Sequence, residues 1–294
     1  MNYTESFLKY IDSEKRYSQN TIIAYENDLK QFFLFLKNES IMTPVDVNTK
    51  IIRQWVVKLY DEGKNPESIK RKITSIRTFF RYLQKIEIIE KNPAKFVAVP
   101  KTPKRLPQFV RENEMELLLD KIDYGSDFEG IRNKLILELL YGTGMRLSEL
   151  SGLRNTDIDL KENLVKALGK GNKERLIPLT KESVGLLKTY LLIKDETFGK
   201  NFSQWLLLTK KGEKIYNKLI YRTVNAHLKA VTTISKKSPH VLRHTFATIL
   251  LNKGADINAI KEILGHANLK ATEIYTHNTF EILNNIYKQA HPRA

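Results

Sequence analysis

Between Val99 and Pro107 the chain reads Val-Pro-Lys-Thr-Pro-Lys-Arg-Leu-Pro, three prolines in nine positions. Proline locks φ and lacks the N–H that a helix or a sheet ladder needs, so neither element can run through this stretch. A separate core must form on each side of it, and 294 residues are enough for both. We expect a helical domain over residues 1–98, a semi-stiff extended linker over 99–107 and a second domain over 108–294. The linker's charges are all positive; it either lets two domains close around a partner or simply separates them.

In the first domain, residues 21–37 place Tyr25, Leu29, Phe32 and Leu36 on one helical face, with Ser18 and Asn20 ready to cap it. Residues 50–60 repeat the pattern with Ile52, Trp55, Val56 and Leu59, and Gly63 stops it. Asn65-Pro66-Glu67 opens a third long helix with a cap, a proline at its first position and an acid in its first turn. Its apolar face is Ile69, Ile73, Ile76, Phe80 and Leu83, and its other side carries Lys70, Arg71, Lys72, Arg77 and Arg81. With a shorter helix over 3–15 this makes a four-helix bundle. The basic stripe is either a solvated face or a surface that tracks phosphates; its single sign favours the second, which makes these five residues candidates for binding a nucleic-acid backbone.

The second domain is mixed. Helices are expected over 112–122 and 131–141, and Gly142-Thr143-Gly144 forces a break before a helix resumes over 145–153. Residues 157–179 alternate apolar and polar positions around Gly169-Lys170-Gly171-Asn172, which predicts a β-hairpin with a glycine-permitted turn. Helical patterns return over 181–194, 218–231, 241–252, 256–264, 268–276 and 279–290. The expected class is mainly α with a small β-hairpin or sheet.

A formal charge of +16 points to a polyanionic partner, because each Lys or Arg set on a phosphate releases a condensed counterion; surplus lysine kept for solubility is the other reading. The absence of cysteine excludes disulfides, thiolate zinc sites and cysteine nucleophiles. No apolar run reaches the roughly 18 residues of a membrane helix. Met1-Asn2-Tyr3-Thr4-Glu5 lacks the layout of a secretory signal, so a cytoplasmic location is expected.

Six residues of the C-terminal half suit phosphoryl transfer: Arg146, Lys170, His240, Arg243, His266 and Tyr275. Charge grows on the non-bridging oxygens of a phosphodiester under attack, and a pair of guanidinium forks, Arg146 and Arg243, would stabilise it. Tyr275 supplies a phenol made more nucleophilic by nearby arginines. Lys170, at a hairpin tip, could protonate the leaving sugar oxygen, and His240 and His266 could move the phenolic proton or bind the phosphate. Each has a plainer reading: Arg146 as a helix-start surface charge, Lys170 as a tip lysine, His240 and His266 as helix caps, Tyr275 as packing. His240 and His244 have the spacing of a zinc-protease motif, but Val241 stands where that motif needs Glu; Gly169 to Arg175 lacks the Lys-Ser/Thr of a Walker loop. Neither metal nor nucleotide is expected.

Order and spacing then decide. Gly142-Thr143-Gly144-Met145-Arg146-Leu147-Ser148-Glu149-Leu150 resembles the first arginine box of the tyrosine recombinases (the phage integrase family). Gly169-Lys170-Gly171-Asn172-Lys173-Glu174-Arg175 resembles their hairpin lysine segment, and Pro239-His240-Val241-Leu242-Arg243-His244-Thr245-Phe246-Ala247 their His-x-x-Arg box. Leu264-Gly265-His266 and Tyr275-Thr276-His277 match the last histidine and the nucleophile. The resemblance spans the chain, helical core-binding domain included, and is nearest the Xer subgroup; Ile249 departs from it, where those proteins often carry histidine.

That resemblance implies a clamp on duplex DNA with paired inverted half-sites, a homo- or hetero-tetramer, and exchange through 3′-phosphotyrosyl links and a Holliday junction. It implies Glu149 as a support for the arginine helix, residues 279–290 as a C-terminal helix exchanged between subunits, and a place for a DNA-translocase activator. Since bond energy stays in the covalent link, no cofactor, ATP or metal is implied. The expected role is resolution of chromosome or plasmid dimers at cell division. The alternatives are the integrase of a mobile element, a type IB-like topoisomerase and a DNA-binding module without catalysis. If the basic surplus lies on phosphates, affinity for duplex DNA should fall steeply between about 50 and 200 mM salt, by orders of magnitude for six or more contacts. A flat response in a titration would place those charges off the DNA.

Overall fold

The computed structural model describes residues 3–99, 108–169 and 174–265, together with Ala290 and Arg293. Two compact units, Met1–Arg105 and Leu106–Ala294, each hold a hydrophobic core. Linker residues 100–107, the helix expected over 268–276 and all but Ala290 of the one expected over 279–290 lie outside the described residues.

The N-terminal unit is a bundle of α1 (Tyr3–Ser13), α2 (Gln19–Asn38), α3 (Thr49–Asp61) and α4 (Pro66–Lys85). Side-chain oxygens start the last three: Ser18 Oγ accepts from Thr21 N at 3.3 Å, Asn48 Oδ1 from Lys50 N at 2.9 Å and Asn65 Oδ1 from Glu67 N at 2.8 Å. Asn20, the other cap considered, lies within the first turn of α2. The expected apolar face of α4 is fully buried, and Phe80 and Trp55 both pack edge-on against Phe32.

The basic side of α4 is not one surface. Lys72 is 4% exposed, with Nζ 3.2 Å from Asp28 Oδ1 and 2.6 Å from Gln31 Oε1. Its spacing from Ile69, Ile73 and Ile76 turns it toward α2, where fully buried Asp28 also accepts from Arg71 and from Ser75 Oγ. Lys72 is therefore withdrawn from the DNA-binding candidates. Arg77 donates to the carbonyls of Ala94 and Val97, which ties that segment to α4. Lys70, Arg71 and Arg81 remain exposed.

In the C-terminal unit, α5 (Glu112–Glu116) continues into a π-helical turn over Leu117–Lys121. Then come α6 (Phe128–Thr143), α7 (Leu147–Ser151), β1 (Ile158–Asp159), β2 (Leu164–Leu168), β3 (Glu174–Pro178), α8 (Lys181–Phe198), α9 (Asn217–Val231), α10 (Pro239–Asn252) and α11 (Ile257–Leu264). Apolar on most sides, α6 forms the axis on which α7, α8, α9 and α10 pack. The expected hairpin is a three-stranded antiparallel sheet, because β1 adds a two-residue edge too short to show alternation. The inward face of β2 and β3 pairs Val165 with Ile177 and Ala167 with Arg175. The mainly helical class with a small sheet is as the sequence led us to expect. No helix among the described residues is long and apolar enough to cross a membrane.

Removing one partner of a buried ion pair costs about 3–5 kcal/mol. Asp28→Ala should therefore destabilise the N-terminal unit by that order in denaturant unfolding, and Lys72→Met added to it should recover part of the loss. A change below about 1 kcal/mol would mean that Lys72 reaches water.

Candidate active site

Helix ends and one strand converge in the C-terminal unit. At Gly144, where α6 stops, φ is +60° and an added Cβ would stand 2.5 Å from Phe246 Cδ1, so only glycine allows the turn. The turn delivers Arg146 to the start of α7. Glu149, one turn on, reaches back, and its Oε2 accepts the Arg146 backbone N–H at 2.8 Å while Oε1 accepts Arg146 Nη1 at 2.7 Å. From β3, Arg175 closes a fork on the same carboxylate, Nη1 to Oε1 at 3.0 Å and Nη2 to Oε2 at 2.8 Å.

The second focus is the end of α11, which stops at Gly265 with φ +66°. A helix leaves its last carbonyls unpartnered and carries partial negative charge there. Three consecutive carbonyls take three different arginines: Ile263 O accepts from Arg175 Nε at 2.8 Å, Leu264 O from Arg243 Nη2 at 2.7 Å and Gly265 O from Arg146 Nη2 at 3.0 Å. Arg243, on α10, also gives Nη1 to Gly144 O at 2.6 Å.

Two guanidiniums, of Arg146 and Arg175, bond the Glu149 carboxylate, and a third, of Arg243, sits on the neighbouring carbonyls of Gly144 and Leu264, so the cluster holds three positive charges against one negative. Burial alone would raise the Glu149 carboxyl; hydrogen bonds from Arg175 and Arg146 outweigh it and bring it down to about 2. Burial and then the charge of Arg146 lower Arg243 to about 10, which leaves it cationic at neutral pH. His240 occupies the second position of α10, behind Ser238 at the N-cap and Pro239. Burial, Arg243, Lys236, His244 and Arg146 all push its pKa below the ordinary 6.5, so the imidazole is neutral at pH 7. Among the described residues no group of three His, Cys, Asp or Glu side chains could hold a metal ion.

Of the expected site residues, Arg146 and Glu149 bond directly, Arg243 takes the carbonyl next to the one that Arg146 takes, and His240 feels the charges of both arginines. Lys170, His266 and Tyr275 lie outside the described residues; in sequence Lys170 falls between β2 and β3, and His266 follows Gly265. Sequence reasoning quoted Arg175 inside a motif without giving it a role. Its signal was its phase, since it alternates with Ile177 on the buried face of β3. In the N-terminal unit, Arg77 and Arg81 line a groove with Gln84, Lys91, Asn92, Lys95 and Phe96, which adds two lysines that the helical pattern did not single out.

Comparison with known proteins gives the family. Residues 108–281 match the phage integrase family, and residues 4–86 match the phage integrase N-terminal SAM-like domain. The chain belongs to the phage integrase family and is a site-specific tyrosine recombinase. Among its relatives are the tyrosine recombinase XerC of Chlorobaculum tepidum, 38% identical with 98% of this chain and 94% of that protein covered, and the XerC of Bacillus subtilis, 36% identical with 100% and 97% covered. Among solved structures, the XerH site-specific recombinase bound to its difH substrate before cleavage superposes with a TM-score of 0.69 at 26% identity, covering 97% of this chain and 84% of that one.

A carboxyl near 2 in the folded state, against an ordinary 4.5, is worth roughly 3 kcal/mol. Because the folded pKa is the lower one, this stability is complete above about pH 4.5 and disappears as pH falls toward 2. The gap in unfolding free energy between the wild type and Glu149→Gln should therefore narrow across that window and stay constant above it. A constant gap from pH 6 to 3 would show that Glu149 does not hold the arginines as an anion.

Proposed function

We propose that this recombinase cleaves duplex DNA through Tyr275, with the phosphate held by Arg146 and Arg243, and that it works as a XerC-type resolver of chromosome or plasmid dimers. The carrying observation is the surplus of positive charge that Arg146, Arg175 and Arg243 hold at Glu149 and at the end of α11, whose last carbonyl belongs to Gly265, the residue before His266, with a neutral His240 at the start of α10. Such a preorganised fork suits the charge that develops on a phosphodiester under attack. The Tyr275 oxygen forms a bond to phosphorus, and the bond from phosphorus to the 5′ oxygen breaks. The phenolic proton passes to His240 or His266, and Lys170 protonates the departing 5′ oxygen. Attack by a new 5′ hydroxyl reverses the step and restores the phenol, so the bond energy is conserved.

Near full-length identity to XerC proteins of 36–38% supports the cellular role. The XerH complex with its own DNA site supports duplex DNA as the substrate. The groove of Arg77, Arg81, Lys91 and Lys95, with Lys70 and Arg71 of α4, is the DNA face that we assign to the N-terminal domain. We assign residues 1–98 to core binding and 108–294 to catalysis, acting as a tetramer on paired half-sites in the cytoplasm.

The test begins with the genomic fragment that the chain retains most tightly, made as a nicked duplex that traps the intermediate. In EDTA the wild type should give a covalent adduct, and Tyr275→Phe should bind equally well and give none. Arg146→Ala and Arg243→Ala should slow cleavage by about 10²–10³-fold, the scale for losing one preorganised donor, with much smaller losses in binding. An adduct from Tyr275→Phe would move the nucleophile elsewhere, and equal losses of binding and cleavage would reduce the arginines to phosphate anchors.

A further inference from the structure

Arg175 adds its charge to the cluster but is given no contact with the reacting groups above, yet it is the most completely engaged of the three arginines. It is 5% exposed and stands on the inward face of β3, between the buried Ile177 and the sheet partner Ala167. All three of its guanidinium nitrogens are bonded, two to Glu149 and one to Ile263 O. The neighbouring residues are small enough to admit it: opposite lies an alanine, and a Cβ added to Gly265 would come within 3.2 Å of Arg175 Cδ and Nη1. A buried cation is retained only where every donor finds an acceptor, and here the acceptors belong to two other segments. Lysine could not reproduce this planar, three-way arrangement.

The segments joined are the ones that matter for strand cleavage. Glu149 holds Arg146, Ile263 leads in sequence to Gly265 and His266, and β3 follows Lys170 after four residues. We propose that Arg175 is a positioning residue: acting through Glu149 it sets the Arg146 guanidinium, and it fixes β3 against the end of α11, without itself touching DNA. This rests on the reading of Arg146 as a phosphate ligand.

The experiment measures, on the same nicked duplex, site affinity and the single-turnover cleavage rate of the saturated complex for the wild type, Arg175→Lys, Glu149→Gln and the double variant. Affinity should stay within about threefold, while cleavage falls about a hundredfold, as a displacement of order 1 Å of a positioned group produces. The double variant should cleave no more slowly than the worse single one, because both changes act along one path. Cleavage by Arg175→Lys at the wild-type rate, affinity and cleavage falling together, or losses that multiply in the double variant would each overturn the proposal. Should Arg175→Lys fail to fold, Glu149→Gln decides, since Arg175 acts through that carboxylate: cleavage at the wild-type rate overturns the proposal and a hundredfold loss at retained affinity supports it. A wild type that forms no adduct would instead sink the phosphotyrosyl reading on which it rests.

Discussion

One carboxylate makes it possible to crowd the arginines. Two unit charges about 4 Å apart repel by roughly 4 kcal/mol at an effective dielectric near 20. Arg146, Arg175 and Arg243 would not share a partly buried space without an acceptor between them. Glu149 accepts four hydrogen bonds, two from each of the flanking arginines, and stays ionised because those bonds outweigh the cost of its burial. The end of α11 supplies the remaining compensation as three carbonyls in a row, each given to a different arginine.

The balance is deliberately incomplete in sign. A site neutralised in full would offer a phosphate no electrostatic gain, and one with no carboxylate would let its cations swing away into water. Holding the forks by hydrogen bonds to fixed backbone places their charge before the substrate arrives, which is the condition for stabilising a transition state without reorganisation at the moment of reaction. The neutral state of His240 follows from its burial and then from the same surplus of charge, and a neutral imidazole can accept a proton that an imidazolium could not.

Much of this was readable in the sequence, for physical reasons that differ by element. The helices of the N-terminal bundle announce themselves because Ile69, Ile73, Ile76, Phe80 and Leu83 keep one period and because Asn65-Pro66 marks a start that local backbone chemistry enforces. Lys72 misled because its environment is set by Asp28, 44 residues earlier, and no local pattern reports that a charge has a buried partner. Strand β1 was hidden by its length. Arg146, Glu149 and Arg243 were legible through motif spacing, since each box sits at a turn or helix start with its own glycine or proline signal. Arg175 was in view but unread: it keeps phase with the buried Ile177, yet the acceptors that let a cation stay there come from α11 and Glu149, which no local pattern reports.

The two glycines that close α6 and α11 connect the core to the arginine cluster. Gly144 accepts the close approach of Phe246 and Leu264, and its carbonyl is the one that Arg243 Nη1 grips. Gly265 accepts the close approach of Arg175, and its carbonyl is the one that Arg146 Nη2 grips. In both places a left-handed residue ends a helix and turns its carbonyl toward a guanidinium. The position of each charged fork is therefore defined by where a helix stops, and that in turn is defined by apolar packing of α6, α10 and α11. Packing specificity and the geometry of the arginine cluster are one constraint here, because a shift of either helix end would carry an arginine with it.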